Sequence, residues 1–298
     1  MGAAARRQPA LVPLAEVIAV ALAEDLGEGW SVVDDVTSAA TVPEAAMVTA
    51  AFVPRQAGVI AGLQALVETF RQVDPRLQVD LQAADGDPAV PGTAVATVAG
   101  PARSVLAGER TALNLLTHLS GIASSTRLLV DAVAGTPCVV RDTRKTLPGL
   151  RAVEKAAVVA GGGVNHRLSL VDGLLVKDNH VAAAGGIAQA TAAALAAAGG
   201  LPVQIEVDSL EQLDVVLAAG ATQVLLDNFT VEQTAEGVAR CRAVDRTVFV
   251  ESSGAITLQT AGAYAATGVD AVAVGALTHS SGALDVGLDL LLHDVGAG

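Results

Sequence analysis

Apolar positions along the chain fall into two textures. Up to about residue 105 the pattern is mixed. "MGAAARRQPALVPLAEVIAVALAEDLG" reads as a short disordered start followed by apolar residues at helical spacing. "MVTAAFVPRQAGVIAG" is strand-like and leads into the helix-spaced "LQALVETFRQV". "LQVDLQAADGDPAV" and "TAVATVAG" are short strands set apart by Asp-Gly and Pro-Gly turns. These elements predict a small α+β domain.

The texture changes at "GERTALNLLTHLSGIASSTRLLVDAVAG", a long helix that opens a series of strand–helix units. The strands "PCVVR", "GLLVK", "VQIEV", "QVLLD", "TVFVE" and "DAVAVG" are near-continuous apolar runs, as parallel strands buried on both faces require. Helical stretches such as "IAQATAAALAAAG", "LEQLDVVLAAG" and "LQTAGAYAATG" lie between them, several closed by Gly. Repeated βα units predict a parallel sheet. With no G-x-G-x-x-G after the first strand, a barrel is favoured over an open dinucleotide-binding sheet.

Composition narrows the classes. Of the 298 residues 52% are hydrophobic and 16% charged, enough apolar material for one large domain or two ordinary ones and little scope for disorder. Aromatics are only 2%, so Ala, Val and Leu must build the core. A net charge of -13 and a pI near 4.7 argue against nonspecific binding to nucleic acid or anionic membranes. Pro13 and Glu16 interrupt the N-terminal apolar stretch, and no run approaches a membrane span, so a cytoplasmic protein is expected. Cys138 and Cys241 fit neither a disulfide framework nor a zinc site, and Cys138, in an apolar strand, reads as a buried inert thiol.

Against this acidic background the only lysines are Lys145, Lys155 and Lys177, in a window headed by "RDTRKT". Nearly every predicted parallel strand ends in a charge: Arg141, Lys177, Glu206, Asp227 and Glu251. In parallel α/β folds the carboxyl ends of strands carry the chemistry, so these groups should converge on one mouth. Arg144, Lys145, His166, Arg167 and Lys177 would form a cationic cluster there, costly in repulsion and desolvation unless an anion fills it. Arg141 has a plainer reading, a pair with its neighbour Asp142. Arg151 and Lys155, on the helix after "LPG", read as solvated. "VESSGAI" and "VAVGALTHS" put small residues after two late strands, where backbone N–H groups commonly hold phosphate; alone, Gly254 and Gly275 only require tight turns. The cluster points to a multiply anionic substrate.

"RDTRKTLPGLRAVEKAA", "GGGVNHRLSLVDGLLVKDNHV", "IEVDSLEQL", "LLDNF", "ESSGAI" and "GVDAVAVGALTHS" together closely resemble the quinolinate phosphoribosyltransferase family, from "ALAEDLG" at residue 21 to the C-terminus. The resemblance implies an N-terminal α/β sandwich over residues 1–115, an incomplete parallel α/β barrel over 116–280, and a segment from about 281 to 298 returning to the sandwich. It implies a homodimer with active sites shared between subunits, compatible with higher assembly. The implied reaction joins quinolinate to phosphoribosyl pyrophosphate with Mg2+, giving nicotinate mononucleotide, pyrophosphate and carbon dioxide.

By position, Arg144, His166, Arg167 and Lys177 would meet quinolinate's carboxylates, with Arg110 reaching in from the partner subunit. Thr143 would join the substrate contacts and Lys145 would hold pyrophosphate. Glu206 and Asp227 would take ribose hydroxyls or Mg2+, directly or through substrate. Ser253, Gly254 and Ala255, with Val274, Gly275 and Ala276, would cradle the 5′-phosphate. Guanidinium forks suit planar carboxylates, and Mg2+ prefers carboxylate and phosphate oxygens. From the helix pattern Arg110 lies near a helix start, where the dipole gives a cation no favour.

The chain departs from the family pattern at three places. "DLGEGWSVVDDVTS" carries extra residues, Ala255 stands where a second Gly is common, and Ala157 and Val159 replace a frequent Tyr and Arg. Other readings stay open at this level: a related paralogue associated with molybdenum transport, a phosphosugar aldolase with Lys177 as Schiff base, and a non-catalytic anion-binding protein. The intact cationic set argues against the first, and a Schiff-base lysine wants an apolar pocket rather than cationic neighbours.

Overall fold

The computed structural model describes residues 10–291; the expected disordered start, residues 1–9, lies outside them. In chain order the elements are α1 (Leu14–Leu26), α2 (Val36–Thr41), β1 (Met47–Pro54), β2 (Gly58–Val59), α3 (Leu63–Val73), β3 (Gln78–Leu81), β4 (Pro88–Ala89), β5 (Ala96–Pro101) and α4 (Ala102–Ala132). There follow β6 (Val139–Arg141), α5 (Arg151–Ala160), β7 (Leu174–Val176), α6 (Asp178–Ala184), α7 (Ile187–Ala197), β8 (Val203–Val207), α8 (Leu210–Ala218) and β9 (Gln223–Asp227). The chain continues with α9 (Val231–Ala243), β10 (Phe249–Ser253), α10 (Ala261–Ala266), β11 (Ala271–Ala273), α11 (Ala276–His279) and β12 (Val286–Leu291). They divide into two compact units.

One unit comprises Leu11–Arg127, Thr146–Gly162 and the chain from Thr278. Its antiparallel sheet has the order β12-β1-β5-β3, so β1 pairs with β5 on one side and β12 on the other, with Phe52 facing Ala96 and Leu288. Helix α3 follows its sequence pattern closely. Leu63, Leu66, Phe70 and Val73 recur at three- and four-residue spacing and are all buried. Asp85 caps its start by accepting the Leu63 N–H at 3.0 Å. Phe70 meets Phe52 of β1 in a tilted pair with ring centroids 5.9 Å apart. Ser120 and Ser124 of α4 accept the N–H groups of Ala61 and Val59 at 3.0 and 2.8 Å, which ties the β2 segment to the helix.

Two sequence expectations fail in this unit. Helix α4 begins at Ala102, not near Gly108, so Arg110 is exposed two turns inside the helix and not at its start. Gly108 is no breaker here. A Cβ on it would come within 2.9 Å of the Phe70 ring, and the missing side chain lets α3 and α4 approach closely. Lys155 is not solvated either: it is 1% exposed within α5, beside the fully buried Glu154. Glu154 accepts from the Leu147 N–H at 3.1 Å and pairs with His118 Nε2 at 2.9 Å. Arg151 is half-buried, its Nε donating to Thr146 Oγ1 at 3.0 Å.

The other unit holds Leu128–Lys145 and Gly163–Leu277, around a parallel sheet of order β6-β11-β10-β9-β8-β7. Read as a ring this is chain order, as in an α/β barrel. No ladder joins β6 to β7 among the described residues; a single parallel bridge from Arg141 to Val164 stands at the seam. The barrel is therefore incomplete. Helix α7 packs on β7 and β8, α9 on β10, and α10 on β11. Cys138, just before β6, and Cys241 are both buried, and burial pushes each thiol up to about 11, an inert state. No single described helix is long and apolar enough to cross a membrane.

Phe70 supports both the β1 face and the α3–α4 approach. Phe70→Ala should destabilise the protein by about 3–5 kcal/mol, whereas Val33→Ala, at a residue 59% exposed, should stay within about 0.5 kcal/mol. Denaturant midpoints of the two variants against wild type check this; equal shifts would contradict the assignment of Phe70 to the core.

Candidate active site

Along each parallel strand, alternate side chains point to the same side, so residues two apart share a face. That periodicity builds the site. Leu175 with Lys177, Leu225 with Asp227, and Glu251 with Ser253 are such pairs, and all six line one cavity of about 520 Å³. Thr143, Arg144 and Lys145 after β6, His166 and Arg167 at the seam, Glu206, Asn228, Gly254, Ala255 and Ala273 complete its wall. The residues expected at this chain's barrel mouth from sequence are thus gathered here, except Arg141, Val274, Gly275 and Ala276. Arg110 belongs to the other unit, where it lines a separate cavity with α1 residues such as Glu16 and Val20. Val274, Gly275 and Ala276 follow β11 just past Ala273 and do not line the cavity themselves.

Opposite charges are interleaved. Lys177 Nζ meets Glu206 Oε2 at 2.7 Å, between the neighbouring strands β7 and β8. Burial raises the Asp227 carboxyl above its ordinary value, against the opposing pull of Lys177 and Lys145. Burial also lowers the Arg167 guanidinium, and Arg144 beside it pushes the same way. The Nε atoms of both arginines are buried without a hydrogen-bond partner. Buried donors without partners are costly, and an anion's oxygens would satisfy them.

Deeper in lies a polar side chain that sequence reasoning misses, Gln204. Glu251, expected at the mouth as a strand end, does line the cavity but sits inside β10, which runs on to Ser253. Arg141 turns to Glu251, while Asp142 accepts the His166 backbone N–H at 2.8 Å. The signal for Gln204 was present in "VQIEV": a lone amide inside an apolar run, two residues before Glu206 and so on the same face. At the rim, Gly254 has φ +90°, and a Cβ there would lie 2.1 Å from Asn228 Oδ1. Only glycine fits that turn. Ala255 follows it at φ 50°, so the departure from a second Gly places a side chain in left-handed backbone.

The site has cationic donors for a multiply anionic ligand, two carboxylates at the ends of adjacent strands, and a narrow backbone turn after β10. Among the described residues no group of three or more His, Cys, Asp or Glu forms a metal cage. Glu206 and Asp227 do suit a hard cation that takes its other oxygens from substrate and water.

The comparisons agree in kind. The quinolinate phosphoribosyl transferase C-terminal domain profile matches residues 122–289, and the N-terminal domain profile of the same family matches residues 35–120. A nicotinate-nucleotide pyrophosphorylase [carboxylating] of Mycobacterium leprae is 51% identical over 277 residues, covering 92% of this chain and 96% of that protein. Quinolinate phosphoribosyltransferase [decarboxylating] 1 of Nicotiana glauca is 36% identical, covering 92% of this chain and 81% of its own. The solved nicotinate-nucleotide pyrophosphorylase of Francisella tularensis superposes with a TM-score of 0.87 at 34% identity, over 95% of this chain and all of that one.

The Asp227 shift has a measurable sign. Its folded-state pKa lies above the unfolded value near 3.8, so at neutral pH the substrate-free fold carries a penalty that vanishes once both states are protonated. Asp227→Asn should raise the Tm at pH 7, with the gain fading as pH falls through the raised folded pKa and gone below about 3.8, and should lower activity. Thermal melts across pH check it; a lower Tm at pH 7 would show that the carboxylate is net stabilising.

Proposed function

The chain belongs to the quinolinate phosphoribosyltransferase family, and from that premise we propose that the barrel cavity joins quinolinate to phosphoribosyl pyrophosphate with loss of carbon dioxide, as the names of its relatives describe. The observation that carries the reading is one cavity lined by Arg144, Lys145, Arg167 and Lys177 together with Glu206 and Asp227. Two planar carboxylates on one ring match two guanidinium groups whose Nε atoms lack partners.

In this reading Arg144, Arg167 and Lys177 grip the dicarboxylate, with Thr143 and His166 in the same wall. The ring nitrogen's lone pair forms the bond to the ribose carbon, and the carbon–oxygen bond to pyrophosphate breaks with its electrons on the leaving group. Lys145, exposed at the rim, steadies that growing charge. The ring is now a pyridinium. The bond to the carboxylate at ring position two breaks, its electron pair stays on the ring carbon beside the cationic nitrogen, and a proton from water replaces carbon dioxide. Ser253, Gly254 and Ala255 hold the 5′-phosphate, with Val274, Gly275 and Ala276 as the adjoining turn. Glu206 and Asp227 orient the ribose hydroxyls and would hold Mg2+ together with substrate oxygens. When bound, that ion supplies charge neutralisation for pyrophosphate. The protein's contribution is positioning and charge balance.

A homodimer in which Arg110 completes the partner's acceptor pocket fits the exposure of Arg110 on α4. Family resemblance supports it.

Nicotinate lacks the carboxylate at position two and leaves part of the cationic pocket unpaired. It should therefore react at least ~10²-fold worse in kcat/KM, measured by pyrophosphate release. Comparable values for the two acids would overturn the acceptor assignment. The shared site has its own test in mixed dimers. Arg110→Ala and Lys145→Ala homodimers should each be nearly inactive. Refolded together in equal amounts, half the dimers are hybrids with one intact site each, so activity should return to roughly a quarter of wild type. Hybrids that form and stay inactive would place Arg110 outside the partner's site.

A further inference from the structure

Apolar packing is the rule inside a parallel barrel, yet three polar side chains meet beneath this cavity. Arg141 comes from β6, Gln204 from β8 and Glu251 from β10, alternate strands that fill one interior layer. Gln204 is 3% exposed and Glu251 fully buried. The Arg141 guanidinium bonds Glu251 Oε2 and lies 5.5 Å from the centre of the Phe249 ring.

The hydrogen bonds allow one direction only. Paired with Arg141, the Glu251 carboxylate can only accept, so Gln204 must turn its Nε2 toward it, at 3.1 Å. That leaves Gln204 Oε1 facing His166 Nε2 at 2.8 Å, and an amide oxygen also only accepts. His166 Nε2 therefore carries the ring proton. On the other side the Arg167 backbone N–H donates to His166 Nδ1 at 2.6 Å, so that nitrogen is bare. A second ring proton would point donor at donor. Both nitrogens of a residue in the acceptor wall are thus spent on the protein.

We propose that Gln204, anchored by Glu251 and Arg141, is a positioning residue that keeps His166 in its neutral Nε2–H form, so that the wall carries no added charge while the acceptor ring becomes a pyridinium. The proposal rests on the reaction assigned above. A cationic imidazole would attract the incoming dicarboxylate yet repel the pyridinium that forms, which favours the ground state over the transition state. The charged groups facing His166 are Glu251, with Oε1 at 3.9 Å from Nε2, Arg141 and Arg167, while Asp142 holds its backbone. Burial lowers the imidazole and the two arginines add to this, while Glu251 and, more weakly, the Gln204 amide oxygen pull the other way. Removing Gln204 would exchange this weak neutral acceptor for the Glu251 carboxylate, whose charge favours the imidazolium more strongly.

The test uses the full chain with ¹⁵N-labelled histidine, the His166 resonances being identified by their loss in His166→Asn. In wild type near pH 6, one ring nitrogen of His166 should be protonated and the other bare. A doubly protonated ring there overturns the proposal without any assay. In Gln204→Leu, or Gln204→Met if the first does not fold, His166 should titrate at higher pH than in wild type. Below that pH, kcat should fall on the order of tenfold or more while KM for quinolinate stays level or falls, and kcat should recover as the ring deprotonates. A raised KM with unchanged kcat, or a loss that no pH restores, would make Gln204 a packing residue only. Absence of pyrophosphate release with quinolinate in wild type would instead sink the reaction assignment, and the histidine spectrum would still decide the tautomer.

Discussion

The Arg141–Glu251 pair, buried inside the parallel sheet, is the interaction on which the catalytic cavity depends. Two charges taken out of water are stable only when paired and further hydrogen-bonded, and loss of one partner typically costs about 3–5 kcal/mol. Here the further bond comes from Gln204. Because the carboxylate accepts only, the pair orients the amide, the amide orients the imidazole, and the imidazole takes the next backbone N–H. A single ion pair thus sets the direction of a chain of groups from the sheet interior to the cavity wall.

Above that layer the molecule is arranged for a ligand rather than for its own stability. Arg144 and Arg167 sit close enough for one to depress the other, and each keeps a buried donor unused. Asp227 is held above its ordinary pKa by burial. A polyanion with a phosphate tail relieves the first strain, and a cationic or hydroxyl-bearing partner relieves the second. Binding and folding are coupled through these groups, since a ligand that binds only the native state stabilises it.

Much of this was legible in the sequence. Helix α3 announced itself by its period, and the strands by apolar runs of the right length. The charged residues at strand ends marked the mouth, because in a parallel sheet the ends share a direction. What escaped notice depended on tertiary packing. Gly108 looks like the place where a helix begins until Phe70 is seen lying against it inside α4. Lys155 looks solvated because lysine usually is, and only the fold buries it. Gln204 hides in an apolar strand, and its meaning comes from Glu251 two strands away. The family motifs supplied what spacing could not, above all which anion the cations serve.

The antiparallel sheet carries a consequence for how the chain is made. Strand β12 lies against β1, and Leu284 and Val286 belong to the same buried cluster as Phe52 and Phe70. Between β1 and β12 the whole parallel sheet is synthesised. The first sheet therefore leaves the ribosome with one edge open and part of its core missing, while the barrel strands that follow can pair with near neighbours in sequence. Late closure of an early sheet is slow, because contacts far apart in the chain carry the largest ordering penalty before they are rewarded. During that interval the exposed edge of β1 is the surface most open to pairing with another nascent chain. For this protein, the first sheet to be made is the last to be completed.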